Sequence, residues 1–232
     1  MDYCGIEVGP GAHHLCVLRE VRTDEPPVRL EARFYEPGDV AAVTTAVRSF
    51  GEDVVVAIAA PSGRARRSGA PRVCDENLAR IGMAPLPFNP EGGAMFDALE
   101  GLGIFEPDSD ASEGNVPDGA FQVARVFETN AEAVFSALQG RRVPARRHPL
   151  GVQRRIQELL DNRVLDEGGD LWHRRIDEIE AAGAAVCAHR FAVGHARWMG
   201  DPEEGVVVLP GSGPVRPFTT EGVLPPVARV PL

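Results

Sequence analysis

The chain is 232 residues long, 44% hydrophobic and 25% charged, close to the average of folded globular domains and far from disordered, collagenous or coiled-coil compositions. Its formal net charge of −10, from 34 acidic and 24 basic residues, opposes any general attraction to nucleic acid or anionic membrane, so a polyanion partner needs a local basic patch. Every basic residue is arginine, and the absence of lysine excludes Walker-type phosphate loops, Schiff-base chemistry and a catalytic lysine.

No apolar run approaches the roughly 20 residues that cross a bilayer, and Met1-Asp2-Tyr3-Cys4-Gly5 lacks the basic start of a signal peptide. The expectation is a cytoplasmic protein with no membrane association. Cys4, Cys16, Cys74 and Cys187 are widely spaced, with no CxxC pair, and are expected to be reduced and mostly buried.

In chain order, residues 2–8 form a β-prone run that breaks at Gly9-Pro10-Gly11, and residues 13–20 follow at once. After the turn-like Asp24-Glu25-Pro26-Pro27, residues 28–35 alternate Arg29, Glu31 and Arg33 with Leu30, Ala32 and Phe34, the period of a strand with one wet face. These three strands read as an antiparallel meander. Val40, Val43, Val47 and Phe50 share a helical stripe behind Asp39, a plausible N-cap. Residues 53–59 are almost continuously apolar, as suits a strand covered on both faces.

Residues 61–119 are irregular. They hold an arginine-rich loop (Arg64, Arg66, Arg67, Arg72), helices expected near 75–81 and 91–102, and an acidic stretch, 106–119, expected as a solvated loop. Order returns with a strand over 121–128, a helix carrying Ala131, Val134, Phe135 and Leu138, a helix near 151–160, a long helix over 171–193 and a strand over 205–209. A Pro-rich extension occupies 211–232.

Three meander strands, a helix, then further strands alternating with helices is the order of the ribonuclease H-like fold. The expected architecture is therefore α/β: a mixed five-stranded sheet, three antiparallel strands then parallel ones, with helices on both faces. One domain would cover 1–210, with a helical and loop insertion at about 61–119. The first, fourth and fifth strands of that fold are parallel neighbours whose carboxyl ends converge. This predicts a cluster of Glu7, Glu128, Asp177 and Glu180. Crowded carboxylates repel and take up protons unless a divalent cation neutralises them, and oxygen-only ligands favour Mg²⁺ or Mn²⁺. Such ions support phosphodiester hydrolysis without lysine or cysteine.

Gly5-Ile6-Glu7, Ala57-Ile58-Ala59-Ala60-Pro61, Arg72-Val73-Cys74-Asp75, Phe127-Glu128-Thr129, Asp177-Glu178-Ile179-Glu180-Ala181 and Gly200-Asp201-Pro202-Glu203-Glu204-Gly205 resemble the predicted nucleases of the RNase H fold called domain of unknown function 429. The likeness spans about residues 2–210. It implies a metal-dependent nuclease acting on nucleic acid, with acidic ligands at positions 7, 59, 128, 177 and 180. Ala59 departs from that pattern, since it cannot bind metal, and Glu7 and Glu180 each carry one methylene more than aspartate.

Plainer roles stand beside these. Glu7 suits a polar strand end, Glu128 the start of a helix at Thr129 or Asn130, and Asp177 with Glu180 a solvated acidic face. Arg64, Arg67, Arg146 and Arg147 are the candidate phosphate ligands, with Arg66, Arg141, Arg142, Arg154 and Arg155 close in sequence; pairing with the excess acids is the alternative. His13, His14, His173, His189 and His195 show no metal-site spacing and read as surface or interface residues. Scarce tryptophan and tyrosine give no support to sequence-specific reading of single strands. Two rival functions remain: a binding module that has lost its metal site at Ala59, and an ATP-handling actin-like protein using Gly9 and Gly11, for which two such domains would not fit in this length.

Overall fold

A computed structural model describes residues 1–21, 28–63, 70–108, 111–213 and 216–219. The meander forms as its alternation requires: β1 (Asp2–Val8), β2 (His13–Val21) and β3 (Arg29–Phe34) pair antiparallel in sequence order. Helix α1 (Val40–Arg48) starts at Asp39, whose carboxylate accepts the Ala42 N–H at 2.8 Å. The apolar run becomes β4 (Val54–Ala59), parallel to β1 and buried throughout. Then come α2 (Val73–Arg80), α3 (Pro90–Leu99), β5 (Glu113–Asn115), β6 (Val126–Glu128) and α4 (Ala131–Gln139), which Asn130 caps. The chain continues with α5 (Pro149–Asp161), β7 (Val164–Asp166), α6 (Ile176–Ala192) and the hairpin β8 (Ala196–Asp201) and β9 (Gly205–Pro210).

These strands make one mixed sheet in the order β5-β8-β9-β6-β4-β1-β2-β3-β7. The α/β class is as expected, but the sheet has nine strands where five were anticipated. The additions lie at its margins. β7 pairs with three residues of β3, β5 pairs with three residues of β8, and neither needs an apolar alternation of its own. The supposed solvated loop at 106–119 thus supplies an edge strand. The strand expected over 121–128 shrinks to three residues because residues 120–122 form a 3-10 turn. The long helix begins at Ile176, not Leu171, because Leu171–His173 is a separate turn capped by Asp170.

Side-chain parity divides the core. Cys4, Ile6, Val8, Val56 and Ile58 face α1 and α3, meeting Val43, Val47, Met95 and Phe96. Tyr3, Val55 and Ala57 face the other layer, built mainly from α6 with α4 and α5. All four cysteines are buried free thiols. Phe218, in the described part of the extension, packs against this layer and donates its N–H to the Ile81 carbonyl at 3.1 Å. Among the described residues no helix is long and apolar enough to cross a membrane.

Helix α6 lies on β1 with backbone nearly touching backbone. A Cβ at Gly5 would fall inside the van der Waals envelope of the Ala181 carbonyl oxygen and the Ala185 nitrogen. The buried run Ala181, Ala182, Ala184 and Ala185 permits this approach, and glycine opposite completes it. Substituting Gly5→Ala should therefore destabilise the protein by about 3 kcal/mol or prevent folding, measured by chemical denaturation. An unchanged midpoint would show that the two elements can separate freely.

Candidate functional site

The close packing of α6 decides which acids meet. Ala185 and Ala181 lie over Gly5, so the preceding turn of the helix, carrying Asp177 and Glu180, extends past Gly5 toward the carboxyl end of β1. Glu7 is there, two residues beyond Gly5 and on the same face. One oxygen from each of Glu7, Asp177 and Glu180 lies within 4.8 Å of the other two. Glu7 is 9% exposed and Glu180 3%. The Oε2 atom of Glu7 is buried and has no hydrogen-bond partner.

Such crowding is costly for negative charge. Burial, reinforced by neighbouring Glu180, pushes the Glu7 carboxyl up to about 8, and burial also raises Glu180. Three arginines offset part of the repulsion, the outermost being the exposed Arg175, 3.8 Å from Asp177. The Arg146 guanidinium reaches all three acids: it is hydrogen-bonded to Asp177, 3.1 Å from Glu180 and 3.6 Å from Glu7. Arg155, fully buried, approaches Glu180 at 3.3 Å, donates to the carbonyls of Pro144 and Gly151, and lies over the Phe135 ring. Arg146 keeps 39% of its side chain exposed while Arg155 keeps none, so one cation is at the rim and the other is built into the core.

His14 belongs to the same neighbourhood. It stands opposite Glu7 across the β1–β2 ladder, and its Nε2 is 4.0 Å from an Asp177 oxygen. Burial lowers its pKa, which favours the neutral ring. The surface reading of His14 is thus corrected: the residue is buried beside the acids. Its position across the hairpin from Glu7 was the available signal.

Glu128 does not join the cluster. Glu7 pairs with Ala59 across β1 and β4, whereas Glu128 pairs with Ile58 across β4 and β6. Being one residue out of phase directs Glu128 to the opposite face of the sheet. There it is sealed at 1% exposure, accepting Arg72 Nη1 and Nη2 at 2.8 and 2.7 Å and the Ser62 N–H and Oγ–H at 2.7 and 2.8 Å. Arg72 in turn donates to Asp75, and Glu204 accepts the Val73 N–H at the start of α2. Gly205, at φ 102°, lets the β8–β9 hairpin close over this group, because a Cβ there would strike Ser62 Oγ. The Arg72-Val73-Cys74-Asp75 and Gly200–Gly205 blocks thus meet Glu128 in a satisfied charge network, separate from the triad.

Of the predicted phosphate ligands, Arg64 and Arg67 lie outside the described residues, as does Arg66. Arg147 is exposed, and Arg146 is engaged with the triad. Ala59 is buried directly opposite Glu7, so the position expected to carry a further acid does face the cluster. The donor set is all oxygen, and Glu7 Oε2 is buried with no hydrogen-bond partner; both suit a hard divalent cation. No protein-family model, curated protein or solved structure matches the chain.

Two outcomes follow from these charges. Replacing Arg72 by methionine leaves Glu128 buried without its counter-ion and should cost about 3–5 kcal/mol in denaturation, far more than the loss of an exposed pair. For the triad, an acid with a raised native pKa holds a proton that the unfolded chain has released. The contribution of Glu7 to stability without metal is therefore fully present below the ordinary glutamate value of 4.5 and is lost as pH climbs toward about 8. Thermal melts of chelated protein should show this decline, and Glu7→Gln should flatten it.

Proposed function

We propose that the chain is a divalent-metal-dependent phosphodiesterase acting on nucleic acid, built on a ribonuclease H-like sheet. The segment β3-β2-β1-β4-β6 supports the fold reading, with the antiparallel meander on one side of β1 and parallel neighbours on the other. One observation carries the functional reading: Glu7, Asp177 and Glu180 converge from two distant segments, and Glu7 carries a buried oxygen with no hydrogen-bond partner. A buried acceptor without a partner is uncommon in a purely structural network.

Glu7, Asp177 and Glu180 would hold Mg²⁺ or Mn²⁺. Such an ion would polarise a phosphoryl oxygen and lower the pKa of bound water. The chain's own groups do the rest. Arg155 fixes Glu180 from behind by an ion pair, and hydrogen bonds to Pro144 and Gly151 hold Arg155 itself. Arg146, at the rim, is the guanidinium able to meet a phosphate in bidentate fashion. Glu128 serves the fold through Arg72 and has no part in the chemistry.

A second reading rests on Ala59. Its methyl group faces Glu7 where another carboxylate would complete an acidic set, which favours a binding module with an incomplete metal site. Incubating the protein with single- and double-stranded oligonucleotides in Mn²⁺ separates the two. The enzyme reading expects chelator-sensitive cleavage that falls at least a hundredfold in both Glu7→Gln and Asp177→Asn, and it fails if cleavage survives either change. Binding of Mn²⁺ and oligonucleotide with no cleavage, followed by gain of cleavage in Ala59→Asp, supports the module.

A further inference from the structure

Among the described residues, Arg146 is the cation paired with all three members of the triad. Three acids share the site; Arg155 pairs with Glu180 at 3.3 Å and the exposed Arg175 with Asp177 at 3.8 Å, and neither is paired with Glu7. Arg146 adds a further positive charge and spans the set, at 3.1 Å from Glu180, 3.6 Å from Glu7 and hydrogen-bonded to Asp177. It arrives from the connection between α4 and α5, on a side chain that is 39% exposed and free of the packing that immobilises Arg155. A guanidinium in this position and a dication favour the same oxygens and repel each other at short range.

We propose that Arg146 is the resident counter-ion of the triad, competing with a divalent cation for the carboxylates and released to a phosphate group of the substrate when that cation is bound. This inference rests on the metal-dependent reading and adds to it a reciprocal coupling of cation and phosphate through one side chain. In the metal-free protein Arg146 offsets the negative charge that these acids carry. Once the acids are neutralised from another source, the guanidinium loses its partners and turns to the nearest anion, which in a loaded site is phosphate. The planar fork that now spans carboxylates matches a phosphate equally well. The unmatched Glu7 Oε2 is a second mark of exchange, because Arg146, over 3 Å away on the other oxygen, leaves it unused.

Titration calorimetry with MnCl₂ on wild type, Arg146→Gln and Arg146→Lys tests the competition without reference to activity. Arg146→Gln should bind Mn²⁺ at least tenfold more tightly than wild type, while its metal-free melting temperature drops and recovers on adding Mn²⁺. Arg146→Lys keeps a charge that cannot span the acids, so it should fall between the two and answers the question if the glutamine variant does not fold. Inorganic phosphate should bind Mn²⁺-loaded wild type more tightly than metal-free wild type, with that gain reduced at least tenfold in Arg146→Gln. If wild type binds Mn²⁺ and neither variant binds it more tightly, the competition is refuted and the metal site stands. If none of the three binds Mn²⁺, the metal reading itself falls and the exchange falls with it.

Discussion

Everything at the candidate site depends on how closely α6 can lie on β1. Glycine at position 5 and alanines at 181, 184 and 185 remove the side chains that would separate helix from strand. Asp177 and Glu180 are thereby drawn to the carboxyl end of β1, where Glu7 awaits them. Nothing about those three acids requires them to meet. Their repulsion opposes it, and the apolar contact of the following two turns of α6 holds them together. The site is thus an electrostatically unfavourable arrangement held in place by packing elsewhere, a pattern common to functional sites.

The protein contains two buried charge clusters of opposite character. Around Glu128 the match is complete: two guanidinium nitrogens and both donors of Ser62 saturate the carboxylate, and the cluster ties β6 to α2 and the β8–β9 hairpin. Around Glu7 it is incomplete, with an orphaned oxygen, a carboxyl raised to about 8 and a partly exposed guanidinium bridging the group. A saturated network gains nothing from a ligand, whereas an unsaturated one does. In that contrast the first cluster ties elements of the fold together, and the second keeps a buried oxygen that a ligand could satisfy.

Much of this was legible in the amino-acid order. The meander follows from alternation in residues 29–34, the cap from Asp39, and the buried parallel strand from the unbroken apolar run at 54–59. Edge strands β5 and β7 were invisible because three residues paired on one side carry no periodic signal, and β8, as Ala-Arg-Trp-Met-Gly-Asp, shows no clean alternation. Glu7, Asp177 and Glu180 could be grouped by topology. Glu128 was misplaced because its facing depends on a one-residue phase between β4 and β6 that only the ladder register sets. The partners of these acids were harder still: Arg72 meets Glu128 from 56 residues away, and Arg146 meets Asp177 from 31. Long flexible side chains in connections carry no periodicity from which such pairings follow.

The central claim is that Glu7, Asp177 and Glu180 form a place for a divalent cation. Diffraction from crystals soaked in Mn²⁺, recorded for anomalous scattering, tests it most directly. The account predicts one strong peak within about 2.0–2.3 Å of oxygens from all three acids, with the Arg146 guanidinium turned away from them. Absence of that peak at saturating Mn²⁺, with Arg146 still bridging the carboxylates, would contradict it.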